Sequence, residues 1–121
     1  MSNEFKPAPV KPVITMAEVE EIDIRVGTIV SVEDVNGSDK LIRLVVDFGD
    51  HRRNILAGMK LERPNSKELE GTQALFVVNL LPRKMMGELS EGMLFDLGYA
   101  DGIQPMLAVP ESSVPNGTRA G

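Results

Sequence analysis

From Ile24 onward, hydrophobic and polar positions alternate with a period of two. Ile24, Val26, Thr28, Val30 and Val32 share one face, and Arg25, Gly27, Ile29, Ser31 and Glu33 the other. That period is the signature of a strand, and Gly27 within it allows a bulge or sharp coil. Asn36-Gly37-Ser38-Asp39 has the chemistry of a turn. Alternation resumes over residues 41–48, with Ile42, Leu44, Val46 and Phe48 on the predicted core face and Arg43 and Asp47 opposite. Gly49-Asp50-His51 predicts the next turn and residues 52–57 a third strand. Residues 72–78, apolar at nearly every position, predict a fourth strand at the centre of the sheet, and residues 93–97 a fifth.

Helical signals are short. Thr15-Met-Ala-Glu18 fits a capping box, in which Thr15 accepts from a backbone donor and Glu18 reaches back. Its helix has about two turns at most, because strand-like alternation begins at Ile22. Residues 66–71, after Pro64 and Asn65, predict one capped helical turn ended by Gly71. Residues 104–109 and a tail around 114–117 add edge material. Five strands with a helical connector between the third and fourth are the layout of an all-β, five-stranded OB-fold barrel.

The 121 residues predict one compact domain. Residues 1–13 hold three prolines and no periodicity, so they are expected to be a disordered tail before a domain at 14–121. A five-stranded barrel needs neither the segment before Ile22 nor the one after Leu97. Yet Ile14, Met16 and Val19 precede it, and Ile103, Met106, Leu107 and Val109 follow. Pairing of two copies would bury both extensions, so a homodimer is expected. No run reaches the roughly 18 apolar residues of a membrane span. The N-terminus has no apolar signal region. With no cysteine in the chain, the expectation is a soluble cytoplasmic protein with no membrane partner.

Net charge is −5, which opposes a polyanionic ligand on average. The charge is unevenly distributed, however. Residues 36–90 hold 9 Lys/Arg against 7 Asp/Glu, whereas residues 1–35 hold 3 against 7 and residues 91–121 hold 1 against 4. A local phosphate-binding face is compatible with that distribution, and indiscriminate nucleic-acid binding is not.

Asn79-Leu-Leu-Pro-Arg-Lys-Met-Met-Gly-Glu-Leu-Ser-Glu-Gly-Met93 joins the fourth and fifth predicted strands. Loops on a rigid scaffold are where binding residues concentrate. Arg83 and Lys84 read either as ordinary solvated charges or, placed after a stiffening proline, as a grip on a phosphate backbone. Met85 and Met86 suit packing or an adaptable contact surface. Lys40, Arg43, Arg52 and Arg53 extend the basic face, although each singly reads as a solvated side chain. Catalysis has little support. His51, the lone histidine, sits in a turn without an orienting partner, and no cluster has metal-ligand spacing. The chain therefore reads as a binding protein without cofactor or metal. Its five aromatics lie largely in strand patterns, which favours folded RNA recognised by shape over a loose strand stacked on aromatic platforms.

Several motifs now stand in order: Ile22-Asp-Ile-Arg-Val-Gly27, Ser38-Asp-Lys-Leu41, Val45 with Asp47 and Gly49, and Ile55-Leu-Ala-Gly58. The most specific is Asn79-Leu-Leu-Pro-Arg-Lys84 with Gly87 and Ser90-Glu-Gly-Met93. From about Thr15 to the C-terminus, the chain resembles the tRNA-binding domain family. That family includes a domain appended to many methionyl-tRNA synthetases, domains of synthetase-associated proteins and free-standing homodimers. The resemblance implies a non-catalytic OB barrel that docks on folded tRNA by shape and phosphate contacts. It implies a contact set of Lys40, Asn79, Arg83, Lys84, Ser90 and Met93, with a tRNA synthetase as a further partner. Asn36-Gly-Ser38 departs from the family's usual turn, and Ala57 stands where serine is common. CsaA-like export chaperones share the domain and a similar ending, Val114-Pro-Asn-Gly-Thr118, so the alternative expectation is a chaperone that binds unfolded preproteins.

Overall fold

The computed structural model describes residues 5–121. The first four residues of the expected tail lie outside that range. Residues 5–13 are exposed and form neither helix nor strand. The capping box forms as expected. The Glu18 N–H donates to Thr15 Oγ1 at 3.2 Å and the Thr15 N–H to Glu18 Oε1 at 3.0 Å, starting a one-turn helix, α1 (Met16–Glu20).

Strand β1 (Ile24–Asp34) is the hub of the sheet. It pairs antiparallel with β2 (Ile42–Asp47) through its second half and with β4 (Gln73–Val77) through its first. Strand β3 (Arg52–Ala57) continues from β2, and β7 (Met93–Leu94) from β4, giving the order β3-β2-β1-β4-β7. A short C-terminal strand, β10 (Arg119–Ala120), also pairs with the start of β1. The five main strands curl into an open half-barrel of the OB type. Residues 72–78, expected at the centre, do have strands on both sides, but the central position belongs to β1.

The face assignment of β1 is corrected. Its register with β2 slips between Ile29 and Ser31, a one-residue bulge that exchanges the faces beyond it. Ile29 is fully buried in the main core and Val30 points to solvent, the reverse of the expectation. Val26 is buried outside that core, where the Val26 N–H donates to the Thr118 carbonyl of the returning C-terminal segment. Gly27 faces inward with Ile29. A Cβ there would lie 2.5 Å from Val46 Cγ1 and 2.9 Å from the Phe48 ring. The missing side chain is what lets the long strand coil over these two residues. Gly27→Ala should therefore lower stability by about 1–3 kcal/mol through overpacking, read as a lower urea midpoint with unchanged slope.

The remaining alternation holds. Ile42, Leu44, Val46 and Phe48 are all buried, and Phe48 meets Phe76 edge-on at 5.5 Å between centroids. Residues 66–69 form a 3-10 turn, but Asn65 makes no side-chain cap bond, so that cap is absent. The expected fifth strand divides at Phe95 into β7 and β8 (Asp96–Leu97), because β8 turns to pair with β9 (Met106–Leu107).

The stretch read as an open loop carries its own hairpin, β5 (Arg83–Met85) and β6 (Glu88–Ser90). Met86 and Gly87 turn it with φ of 50° and 80°, the double left-handed geometry of a tight hairpin turn. Methionine in the first of those positions is atypical. That is why the turn was not legible.

Candidate nucleic-acid interface

The hairpin is fastened to the barrel at both ends. At its base, Ser90 and Glu91 take over the edge of β3, which has no ladder with β7. The Leu56 N–H donates to Ser90 Oγ at 3.0 Å, the Glu91 N–H to the Asn54 carbonyl at 2.9 Å, and the Asn54 N–H to Glu91 Oε1 at 3.1 Å. Arg53 donates to the carbonyls of Val78 and Glu91, the two roots of the segment. Further out, Arg43 donates to Glu88 Oε1 of β6 at 2.6 Å and to Glu33 of β1. Those two carboxylates, Glu88 foremost, raise the guanidinium above its ordinary range. At the tip, a Cβ on Gly37 would lie 3.3 Å from Met86 Cε, so the hairpin reaches the turn that precedes Lys40. In an OB barrel, the loop between the first two strands and the loop before the last are where oligonucleotides dock.

The six residues implied by the resemblance fall into two groups. Lys40, Arg83 and Lys84 are exposed, with no ion pair among the described residues. Met93, at the end of the segment, is also exposed. Asn79 and Ser90 instead make internal bonds. Asn79 Oδ1 accepts from the Asp23 N–H at 2.8 Å, and its Nδ2 donates to the Glu21 carbonyl at 2.7 Å. Ser90 is buried against β3. Of the residues read as extending the basic face, Arg43 and Arg53 are struts, whereas Arg52, like Lys40, is exposed and has no ion pair among the described residues. Removing the buried hydroxyl by Ser90→Ala leaves the Leu56 amide unsatisfied. It should cost about 1–3 kcal/mol of stability, measured by chemical denaturation.

Arg83 and Lys84 do not share a face. Arg83 pairs across the hairpin with Ser90, which points into the barrel, and Lys84 with Leu89, which points out. Side chains alternate along a strand, so the two cations straddle the ribbon.

Two concavities adjoin the hairpin root. A groove of about 980 Å³ runs between α1 and β10, with Met16, Val19, Ile22 and Asn79 in its walls. A cleft of about 120 Å³ lies between Asp23–Arg25 and Asp50–His51–Arg53, with Phe48 also in its lining. Arg25 is the foremost cause of the lowered Asp23 carboxyl. This cleft is not legible in the sequence, because its walls come from separate strands and its histidine reads as a turn residue. Among the described residues, no cluster of His, Asp or Glu is arranged to hold a metal ion, and no helix is long and apolar enough to cross a membrane.

Residues 24–119 match the family described as "Putative tRNA binding domain". The chain is similar to a MetRS-related protein from Pyrococcus horikoshii, with 33% identity and a TM-score of 0.84 over 92% of this chain and 100% of that one. It is also similar to the chaperone CsaA from Bacillus anthracis, with 28% identity and a TM-score of 0.78 over 91% and 100%. CsaA from Picrophilus torridus likewise has 28% identity and a TM-score of 0.78, over 90% and 100%. The chain belongs to the tRNA-binding domain family, as its ordered motifs implied.

Proposed function

We propose that this protein is a non-catalytic, cytoplasmic tRNA-binding homodimer that recognises folded tRNA by shape and by phosphate contacts. One observation carries the reading. In the basic middle of the chain, Arg43, Lys60, Arg63 and Lys67 are paired with carboxylates. Lys40, Arg83 and Lys84, on the hairpin and the turn it touches, are exposed and have no such partner among the described residues. Unneutralised cations on a raised ribbon and its neighbouring turn suit a phosphate backbone. Met93 supplies an apolar contact, and Asn79 and Ser90 act by holding the ribbon's base. The apolar walls of the groove beside α1, Met16, Val19 and Ile22, support pairing of two copies. A tRNA synthetase is a further candidate partner.

The alternative is a chaperone for unfolded preproteins. Its support is the apolar surface of the same segment, where Leu80, Leu81, Met86 and Leu89 are exposed, together with the likeness to CsaA. Salt separates the two readings. Binding of bulk tRNA should weaken with a log–log slope on the order of −3 to −5, at about −0.9 per neutralised phosphate. Peptide binding through apolar surface persists in salts that favour burial. No tRNA binding at low salt, with suppressed aggregation of an unfolded client, would decide for the chaperone.

A further inference from the structure

The cleft at the hairpin root has the equipment of a ligand site, and the phosphate reading does not use it. His51 forms its platform. The ring stacks on Phe48 at 5.6 Å between centroids and 25° between planes. Both of its nitrogens are held. Arg53 Nε, 3.1 Å from Nε2, can only donate, so Nε2 accepts. Nδ1 therefore carries the hydrogen and donates to Asp50 Oδ1 at 2.6 Å. The rings are offset and the His51 side chain is 46% exposed, so ring surface remains for a ligand. A planar ligand meets a ring already oriented, with little rotational freedom left to lose.

The cleft walls carry alternating charge. Arg25 donates to Asp23 through Nε at 2.7 Å and Nη2 at 3.0 Å, which leaves Nη1 for a ligand. Arg53 spends Nε and Nη1 on His51 and on the hairpin's carbonyls, which leaves Nη2. Asp50 keeps one oxygen free of His51. Two carboxylates beside two guanidiniums disfavour a simple anion. They suit a neutral ring that presents acceptors along one edge and donors along the next. At about 120 Å³, the cleft is smaller than the roughly 150 Å³ cavity that encloses benzene, so it takes the edge of one base against its open side and not a whole nucleotide.

We propose that this cleft binds a single unpaired nucleobase, guanine by its edge chemistry, with the ring on His51 and its polar edges on Arg25, Arg53 and Asp50. Guanine offers O6 and N7 to a guanidinium and, on its other edge, N–H donors to a carboxylate. Adenine sets an amino group where the second acceptor is needed. The location fits a polynucleotide. Arg53 holds the Glu91 carbonyl, and the neighbouring Ser90 pairs directly with Arg83. A base in the cleft and a phosphate on Arg83 thus lie on adjoining positions of one scaffold. The inference rests on the tRNA reading for the origin of the base, but not for the chemistry of the cleft.

The test uses the full chain, labelled with nitrogen-15 and titrated with GMP, AMP, CMP or inorganic phosphate at millimolar concentration. GMP should shift the amides of residues 48–53 and 78, AMP should shift them less, and CMP and phosphate should not; AMP shifts equal to those of GMP would overturn the assignment to guanine. His51→Ala should remove those shifts and weaken tRNA binding at least about five-fold, the low end for loss of one stacked base. The salt slope should stay as it was, because stacking releases no counterions. If His51→Ala disturbs folding, His51→Gln keeps a polar side chain without the ring and should give the same losses. Absent GMP shifts, equal shifts from phosphate, or unchanged tRNA affinity in a folded His51 variant would overturn the proposal. GMP shifts in a protein that binds no tRNA would refute the tRNA reading and leave the base site standing.

Discussion

Reversing both hairpin cations, Arg83→Glu with Lys84→Glu, will abolish measurable tRNA binding and leave the protein folded. Each side chain is exposed, and neither pairs with a carboxylate among the described residues. Their replacement should therefore change stability by no more than about 0.5 kcal/mol. The effect on binding is far larger. A unit charge about 4 Å from a phosphate contributes roughly 1 kcal/mol even in water, and the double reversal swings four units from attraction to repulsion. Affinity should fall on the order of a hundred-fold or more, with the salt slope reduced by about one per lost contact. Single reversals add information. Because the two side chains straddle the ribbon, RNA lying against one face will respond chiefly to one reversal, whereas RNA that wraps the hairpin will respond to both. Filter binding at low salt reads all three variants, and near-wild-type affinity in the folded double variant would remove the hairpin from the site.

Phe76→Ala should be the most destabilising of the substitutions considered. The ring is fully buried in β4, meets Phe48 edge-on, and lies opposite Leu94 of β7 in the sheet. With so few aromatics in the chain, neighbouring aliphatic side chains cannot fill the void. Loss of a buried phenylalanine costs about 3–5 kcal/mol, against a total of about 5–15 kcal/mol for a domain. A urea melt should show a lower midpoint, or no folded baseline at all. A variant within about 1 kcal/mol of wild type would mean that the core closes over the gap.

The pattern of apolar positions carried the barrel because period two is a backbone property. β2 lies where alternation placed it and β3 where the preceding turn placed it, and the Thr15 capping box formed because its two partners are only three residues apart. What the pattern missed was non-local or irregular. The bulge at Val30 leaves no trace in a string of apolar residues, yet it decides whether Ile29 or Val30 faces the core. The hairpin stayed hidden because Met86 occupies a position where asparagine or glycine would have signalled the turn. At the candidate site, sequence singled out Arg83 and Lys84 through charge and loop context, and Lys40 through its charge and the family resemblance. It could not separate a free cation from a strut. Only the fold brings Glu33 and Glu88 to Arg43, or two carbonyls to Arg53.

Asn79 gives the two ends of this surface a common energetic variable. Its amide holds residues 21 and 23, which lie in the wall of the groove beside α1, to the root of the cationic ribbon. A partner that favours one position of residues 21–23 also favours one position of the ribbon. By reciprocity, an occupant of the ribbon then changes affinity in the groove by the same factor. Asn79→Ala removes the two side-chain bonds of that link and leaves the Val78 N–H bond to the Asp23 carbonyl, so any such coupling should weaken.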